Sequence, residues 1–561
     1  MNKLILGFIA SLGFYACSQD AEDGRTQVDL IFHNGAVATI DPGLTVASTV
    51  AVKGEKIIAV GGADLLEEYV AGTMIDLNGN SLIPGFIDSH THLRGHSRRY
   101  IDLTKTTSIE QIKGLVSRKV EELGTGEWIS GYGWSEDFMA EERRPLRRDL
   151  DEAAPDNPVL LTRAGGHSAV MNSMALRRAE VDENTEQPEG GVIEKDGAGR
   201  LNGIIRERQE IVGRLIPGAT FDEVKDSLVA TLKAQLALGI TSFTQATGSV
   251  AMSDQQSNWT HTYPEWEHIY HQYRGELPRA SIQVFWEGAE LMEAFGKRSG
   301  DGDEHLRVGP VKIFVDGGFT GPAAYTKEPY RGETTYRGHL SIDPDDLTTV
   351  IRELNAAEWQ SGIHAIGDAA IELVVDELAA ALDESPRDDH RHYLNHFTVM
   401  PSTETMDKMA DYGIAITQQP NFTYTLEGRY VDYLDGARLE HNNPLRSPMV
   451  HGIHVAISSD VLPIGPMVGL YSAVTRKGMS GRVFAEEERL TMMEALRAYT
   501  LFGAYLSFEE NIKGSIEPGK LADLVVLDRD LLTINSEQIM ETKVLQTWLG
   551  GRLVYEYGGS Q

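Results

Sequence analysis

The chain has 561 residues, 41% of them apolar, with 51 basic against 83 acidic side chains and a formal charge of −32 when its histidines are neutral. That length and apolar share admit one large packed domain with a smaller companion and exclude a disordered chain. The acidic excess excludes nucleic acid as a partner, because a polyanion is repelled at long range.

The apolar run Leu4 to Ala16, preceded by Lys3, is too short to span a bilayer comfortably and suits the core of a signal peptide. Cys17 follows it as the sole cysteine, so no internal disulfide can form. Phe14-Tyr15-Ala16-Cys17 resembles a bacterial lipoprotein cleavage box, with Phe14 where leucine is usual. The resemblance implies a signal peptide over 1–17, lipidation at Cys17, a tether over 18–27 and export. Ser18 points to the outer membrane, with the protein facing the periplasm or exterior and touching membrane only through its lipid.

From Val28 to Leu82 short alternating runs bounded by turns, such as Val28 to Phe32 before Asn34-Gly35, predict a small antiparallel sheet. Similar runs return in Leu524 to Leu527 and Val544 to Tyr555, which predicts one discontinuous β-sandwich domain made of 28–82 and 505–561. Residues 83–504 alternate strand-like and helix-like segments, the mark of parallel βα units. Ser108 to Leu123, a helix opened by Thr220 and Glu223, and the series Ile371, Val374, Val375, Leu378 each bury one face. Eight apolar runs begin at Phe86, Ile240, Ser281, Val311, Gly362, His396, Ile414 and Val455, the number required by a closed (β/α)8, TIM-like barrel in the α/β class. Residues 124–217 read as an insertion over the barrel mouth.

The strongest chemical signal is Pro84-Gly85-Phe86-Ile87-Asp88-Ser89-His90-Thr91-His92. Residues two apart on a strand face the same way, so His90 and His92 can present both imidazoles to one cation. Lys312, His364, His396 and Asp460 lie on or just after later barrel strands, where such enzymes place reactive groups. Charge inside apolar runs is unfavourable unless paired or metal-bound. Asp316, with His167 and Trp134 of the insertion, are candidate substrate contacts, joined by Trp128 and Tyr132; Asp368 is a candidate for orienting an imidazole.

The Pro-Gly-Phe-Ile-Asp-Ser-His-Thr-His strand, Val311-Lys312-Ile313-Phe314-Val315-Asp316, His364-Ala365-Ile366-Gly367-Asp368, Arg391-His392 leading to His396, Ser459-Asp460 and Gly514 to Leu524 resemble amidohydrolase family 3, in its YtcJ-like branch that includes N-substituted formamide deformylases. That resemblance implies His90, His92, His364, His396 and Asp460 as metal-site residues. Lys312 would be carboxylated to bridge two metals or left as a charged group near substrate, and Glu207 is a competing carboxylate. Asn395 stands where the branch carries Glu, and Phe319-Thr320-Gly321-Pro322 replaces its usual glycine-rich loop.

The expected cofactor is one or two divalent ions, zinc first among them, lowering the pKa of water and polarising a carbonyl. Asp460 would take the water's proton and return it to the leaving nitrogen. The expected partner is a small-molecule substrate, and assembly into a homo-oligomer is left open. Hydrolysis of an amide-like C–N bond is the leading reading. Ester or lactone hydrolysis at the same site, or a non-catalytic ligand-binding lipoprotein, are the alternatives.

Overall fold

The computed structural model describes residues 24–136, 139–164, 168–188, 191–250, 261–319, 322–461 and 465–559. Cys17, the apolar run before it and His167 lie outside the described residues. No described helix is long and apolar enough to cross a membrane.

Eight parallel strands form the central sheet: β1 (Phe86–Thr91), β2 (Ile240–Gln245), β3 (Arg279–Phe285), β4 (Leu306–Phe314), β5 (Ser361–Ala365), β6 (Tyr393–His396), β7 (Ala415–Gln418) and β8 (Val455–Ile457). Each pairs with its neighbour in chain order. These strands are buried almost throughout, which is why they read as continuous apolar runs rather than alternating ones. The ring closes just past β8, where Asp460 bridges Thr91: the Asp460 N–H donates to the His90 carbonyl at 2.9 Å and the His92 N–H to the Asp460 carbonyl at 3.3 Å. The closing residue of the barrel is thus also one of its reactive side chains.

Helices cover the outside of this ring. Phe221–Leu236 opens on the reciprocal Thr220–Glu223 capping box and buries Val224, Leu228, Leu232 and Leu236. Asp368–Glu384 buries Ile371, Val374, Val375 and Leu378. Both sets follow the 3.6-residue spacing, and Leu228, Leu232 and all four of the second set belong to the main core.

Two strands differ from their expected extents. β4 starts at Leu306, upstream of Val311, because Gly309-Pro310 continues an extended run instead of turning. β6 ends where it was expected to begin. Tyr393–His396 is the strand, and His396 and Phe397 then take φ of 82° and 54°, a left-handed backbone that no strand sustains.

A six-stranded sheet draws on both ends of the chain. Leu524–Leu527 pairs antiparallel with Ser81–Pro84 on one side and with Val544–Leu549 on the other. A four-stranded sheet over 26–76 packs against it through Phe32, Val50, Val52, Leu82, Leu524 and Trp548. Ser81–Pro84 runs into β1 through Gly85, where an added Cβ would sit 2.0 Å from the Thr241 hydroxyl, so a side chain there would separate β1 from β2. Arg279 at the start of β3 is tied to Asp523 by a two-pronged buried ion pair at 2.7 and 3.1 Å.

The inserted sheet begins earlier than the sequence suggested. Its six strands start at Tyr100–Asp102, not after residue 124, and the helix Ile109–Leu123 packs on it rather than on the barrel. The apolar face Ile109, Ile112, Val116 shares a core with Ile129, Trp134 and Val159, which explains the partition.

Candidate metal centre

β1 carries His90 fully buried, and His92 follows one residue past the strand, with a quarter of its side chain exposed. β6 contributes His396 and the closing residue after β8 contributes Asp460. One ligand atom from each of His90, His396 and Asp460 falls within 4.8 Å of the others. His92 Nε2 lies 3.3 Å and His90 Nε2 3.8 Å from Asp460 Oδ1. The His364 ring of β5 stands 4.4 Å from that of His396, and the His90 and His396 rings are 5.0 Å apart. Side chains separated by 370 residues of chain therefore share one point at the C-terminal mouth of the barrel.

His396 and Asp460 both have left-handed φ, 82° and 59°. Such backbone costs about 1–3 kcal/mol at each non-glycine residue and concentrates where surrounding structure must hold a functional side chain in place.

The electrostatics of the site hold its imidazoles neutral. Burial first, then the charge of Lys312, pushes His92 and His364 down to about 3, and burial drives His90 and His396 well below the ordinary histidine value. All four rings are thus neutral and have lone pairs to offer. Burial raises Asp460 above the carboxylate range, against the pull of Lys312, and lowers Lys312. Both nitrogens of His90, Nζ of Lys312 and Nε2 of His364 are buried without a hydrogen bond. Each such group costs about 1–3 kcal/mol unless something satisfies it. Neutral imidazoles, one carboxylate and orphaned buried nitrogens together fit a borderline divalent cation.

A second ring of contacts fixes these groups. His396 Nδ1 meets Gln419 Oε1 at 2.8 Å, and Gln419 in turn donates to Ser458 Oγ at 2.8 Å. Asp88, whose pKa burial pushes to about 7, accepts the Ser459 N–H at 2.9 Å and so pins the residue before Asp460. Ser89 donates to the Ile457 carbonyl at 2.8 Å. Gln419 was not singled out by sequence; its signal was a Gln-Gln pair ending β7.

Several expected contacts fall elsewhere. Trp134 is fully buried in the inserted sheet's core and its indole N–H donates to the Leu161 carbonyl at 2.8 Å, so it offers nothing to substrate. Trp128 is likewise a core residue. Asp316 accepts the N–H groups of Ile366, Gly367 and Tyr325 at 2.9–3.0 Å and anchors the loops after β4 and β5. Its side chain is fully buried, with Oδ1 3.6 Å from His364 Nε2, so it does not face substrate. Asp368 holds the Lys327 N–H at 2.9 Å instead of an imidazole. Glu207 is exposed.

Above the cluster opens a cavity of about 470 Å³. His92, Lys312, His364, His396 and Asp460 form its polar floor, and Phe314, Phe319, Phe422, Leu426 and Tyr430 line its apolar wall. The short helices after β7, Pro420–Thr425 and Glu427–Tyr433, supply Phe422 and Tyr430, with Leu426 at the junction between them.

The profile of the amidohydrolase family matches residues 73–555. The chain is 30% identical to the YtcJ protein of Bacillus subtilis (strain 168) over 94% of its own length and 99% of that protein. It is 28% identical to N-substituted formamide deformylase of Arthrobacter pascens, covering 95% of this chain and 99% of the relative. In fold it matches an uncharacterized metal-dependent hydrolase from Pyrococcus horikoshii OT3 with a TM-score of 0.70 at 22% identity, over 91% and 99% of the two chains. The chain belongs to the amidohydrolase family and is, as such, a hydrolase of carbon–nitrogen bonds.

Proposed function

We propose that the protein hydrolyses a non-peptide amide of a small molecule, with His90, His92, His364, His396 and Asp460 holding one or two divalent ions, zinc first among them. The observation that carries this is the meeting of His90, His396 and Asp460 within 4.8 Å, with His396 and Asp460 on the floor of the cavity. When bound, such an ion lowers the pKa of water and polarises a carbonyl. Asp460 is the proton carrier. Burial lifts its pKa toward neutrality, so it can take a proton from the attacking water and give it to the departing nitrogen. The aromatic wall seats the apolar part of the substrate and keeps bulk water from the floor. N-substituted formamide deformylase is a relative over nearly the whole chain, which makes N-formyl amides the first substrates to try.

Lys312 completes the floor. Burial favours its neutral amine, which can add to CO2 and release a proton to become a carbamate with two ligand oxygens. Intact mass spectrometry under native conditions would register that added CO2, and its loss in Lys312→Arg.

The test of function is turnover of N-formyl, N-acyl and cyclic amides, alongside matching esters, with zinc or manganese added. Chelator-sensitive release of amine is expected. Turnover of esters alone would transfer the site to the alternative reading, and ligand binding without turnover would favour a non-catalytic role. Export and lipidation at Cys17 belong to the same proposal; labelled palmitate should enter the wild-type chain and not Cys17→Ser.

A further inference from the structure

We infer that the site selects amides that carry an anionic group, and that Arg94 is the residue that recognises it. This rests on the hydrolase reading above and names its substrate class.

Arg94 follows β1 two residues beyond His92 and lines the same cavity. From His90 through His92 to Arg94 the chain climbs from a fully buried ring to a ring one-quarter exposed and then a half-buried guanidinium, so Arg94 stands between floor and mouth. Two residues span at most about 7 Å of chain, so one small molecule can touch both Arg94 and the floor. The charge of Arg94 is close enough to bear on His92 and to feel the phenols of Tyr100 and Tyr132.

Among the described residues that line the cavity, Arg94 is the single guanidinium and Asp460 the single carboxylate, with the buried amine of Lys312 on the floor. The overall charge of −32 repels an anion at a distance, but screening removes most of that field beyond about 8 Å, so the local guanidinium decides binding. A guanidinium offers two parallel N–H groups to a carboxylate, which a neutral substrate would leave without that partner. At the rim, Phe314 and Val461 are 41% and 37% exposed and suit an aromatic body between the anion and the amide. The ligand is therefore an aryl or alkyl amide bearing a carboxylate, or another anion of similar size.

The probes are 4-(formamidomethyl)benzoate and its methyl ester, with the metal-loaded full chain. Two readouts are used, steady-state kinetics and calorimetric binding. For the wild type, the acid should have a KM and a Kd at least about tenfold below the ester's, the usual worth of a charge-assisted pair. Arg94→Gln should erase most of that ratio, and Arg94→Lys should retain part of it. Equal affinity for acid and ester in the wild type overturns the inference without need of a variant, as does failure of the acid to bind. If the acid binds in an Arg94-dependent way but is not cleaved, the anion site stands and the proposed reaction falls for this class.

Discussion

His396 Nδ1 and Gln419 Oε1 lie 2.8 Å apart with both side chains buried. The amide oxygen can only accept, so His396 carries its proton on Nδ1 and leaves Nε2 as the lone-pair nitrogen. Gln419→Leu removes that constraint and should weaken metal affinity about 10–100-fold, the usual effect of losing a ligand's outer partner. Competition with a coloured chelator measures it; an unchanged affinity would mean that His396 is oriented by packing alone.

Arg279 and Asp523 join β3 to the sheet shared by the two chain ends, with side chains 2% and 5% exposed. Breaking a buried pair by deleting one partner strands the other charge, at about 3–5 kcal/mol. Asp523→Ala should therefore lower the urea midpoint sharply, whereas replacement of an exposed pair such as Lys233–Glu276 should shift it little. Similar midpoints for both variants would count against the tie.

Trp134 is a core residue of the inserted sheet. Trp134→Phe loses the hydrogen bond to the Leu161 carbonyl and should cost about 1–3 kcal/mol of stability with KM unaltered. A raised KM at unchanged stability would restore it as a substrate contact.

His392 stacks on His390 at 4.5 Å, fully buried, and takes the Ser361 N–H on its Nδ1. Burial, then the charges of His390 and Arg387, hold its pKa well below the ordinary 6.5. Below that pH the unfolded chain binds a proton that the folded chain refuses. Its contribution is complete above about pH 6.5 and is lost as pH falls, by up to about 1.4 kcal/mol per pH unit. Thermal unfolding of the wild type should show Tm falling between about pH 6.5 and 5. A flat profile across that interval contradicts the buried neutral state.

The barrel and the convergence of its polar residues were legible because both are local patterns: buried parallel strands are unbroken apolar runs, and a histidine or lysine inside one stands out. The end of β6 was not. Phe397, Thr398 and Val399 favour strand by composition, and only tertiary context forces His396 and Phe397 into left-handed backbone. Asp316 had the position of a site residue but serves N–H groups about 50 residues away, a pairing that no periodicity reveals. Gln419 and Arg94 were overlooked for a related reason, since a glutamine or arginine just past a strand end is ordinary until the fold places it. The helix Ile109–Leu123 had the right face and the wrong neighbour, because amphipathicity states that a face is buried without stating against what.

The proposed reaction depends above all on a cation shared by His90, His396 and Asp460. Elemental analysis of the purified wild type beside His396→Asn, both shown to be folded, tests it most directly. Stoichiometric zinc or another divalent transition metal in the wild type, and its loss in the variant, is the predicted result; equal metal content in the two folded proteins, or none in either, would contradict it.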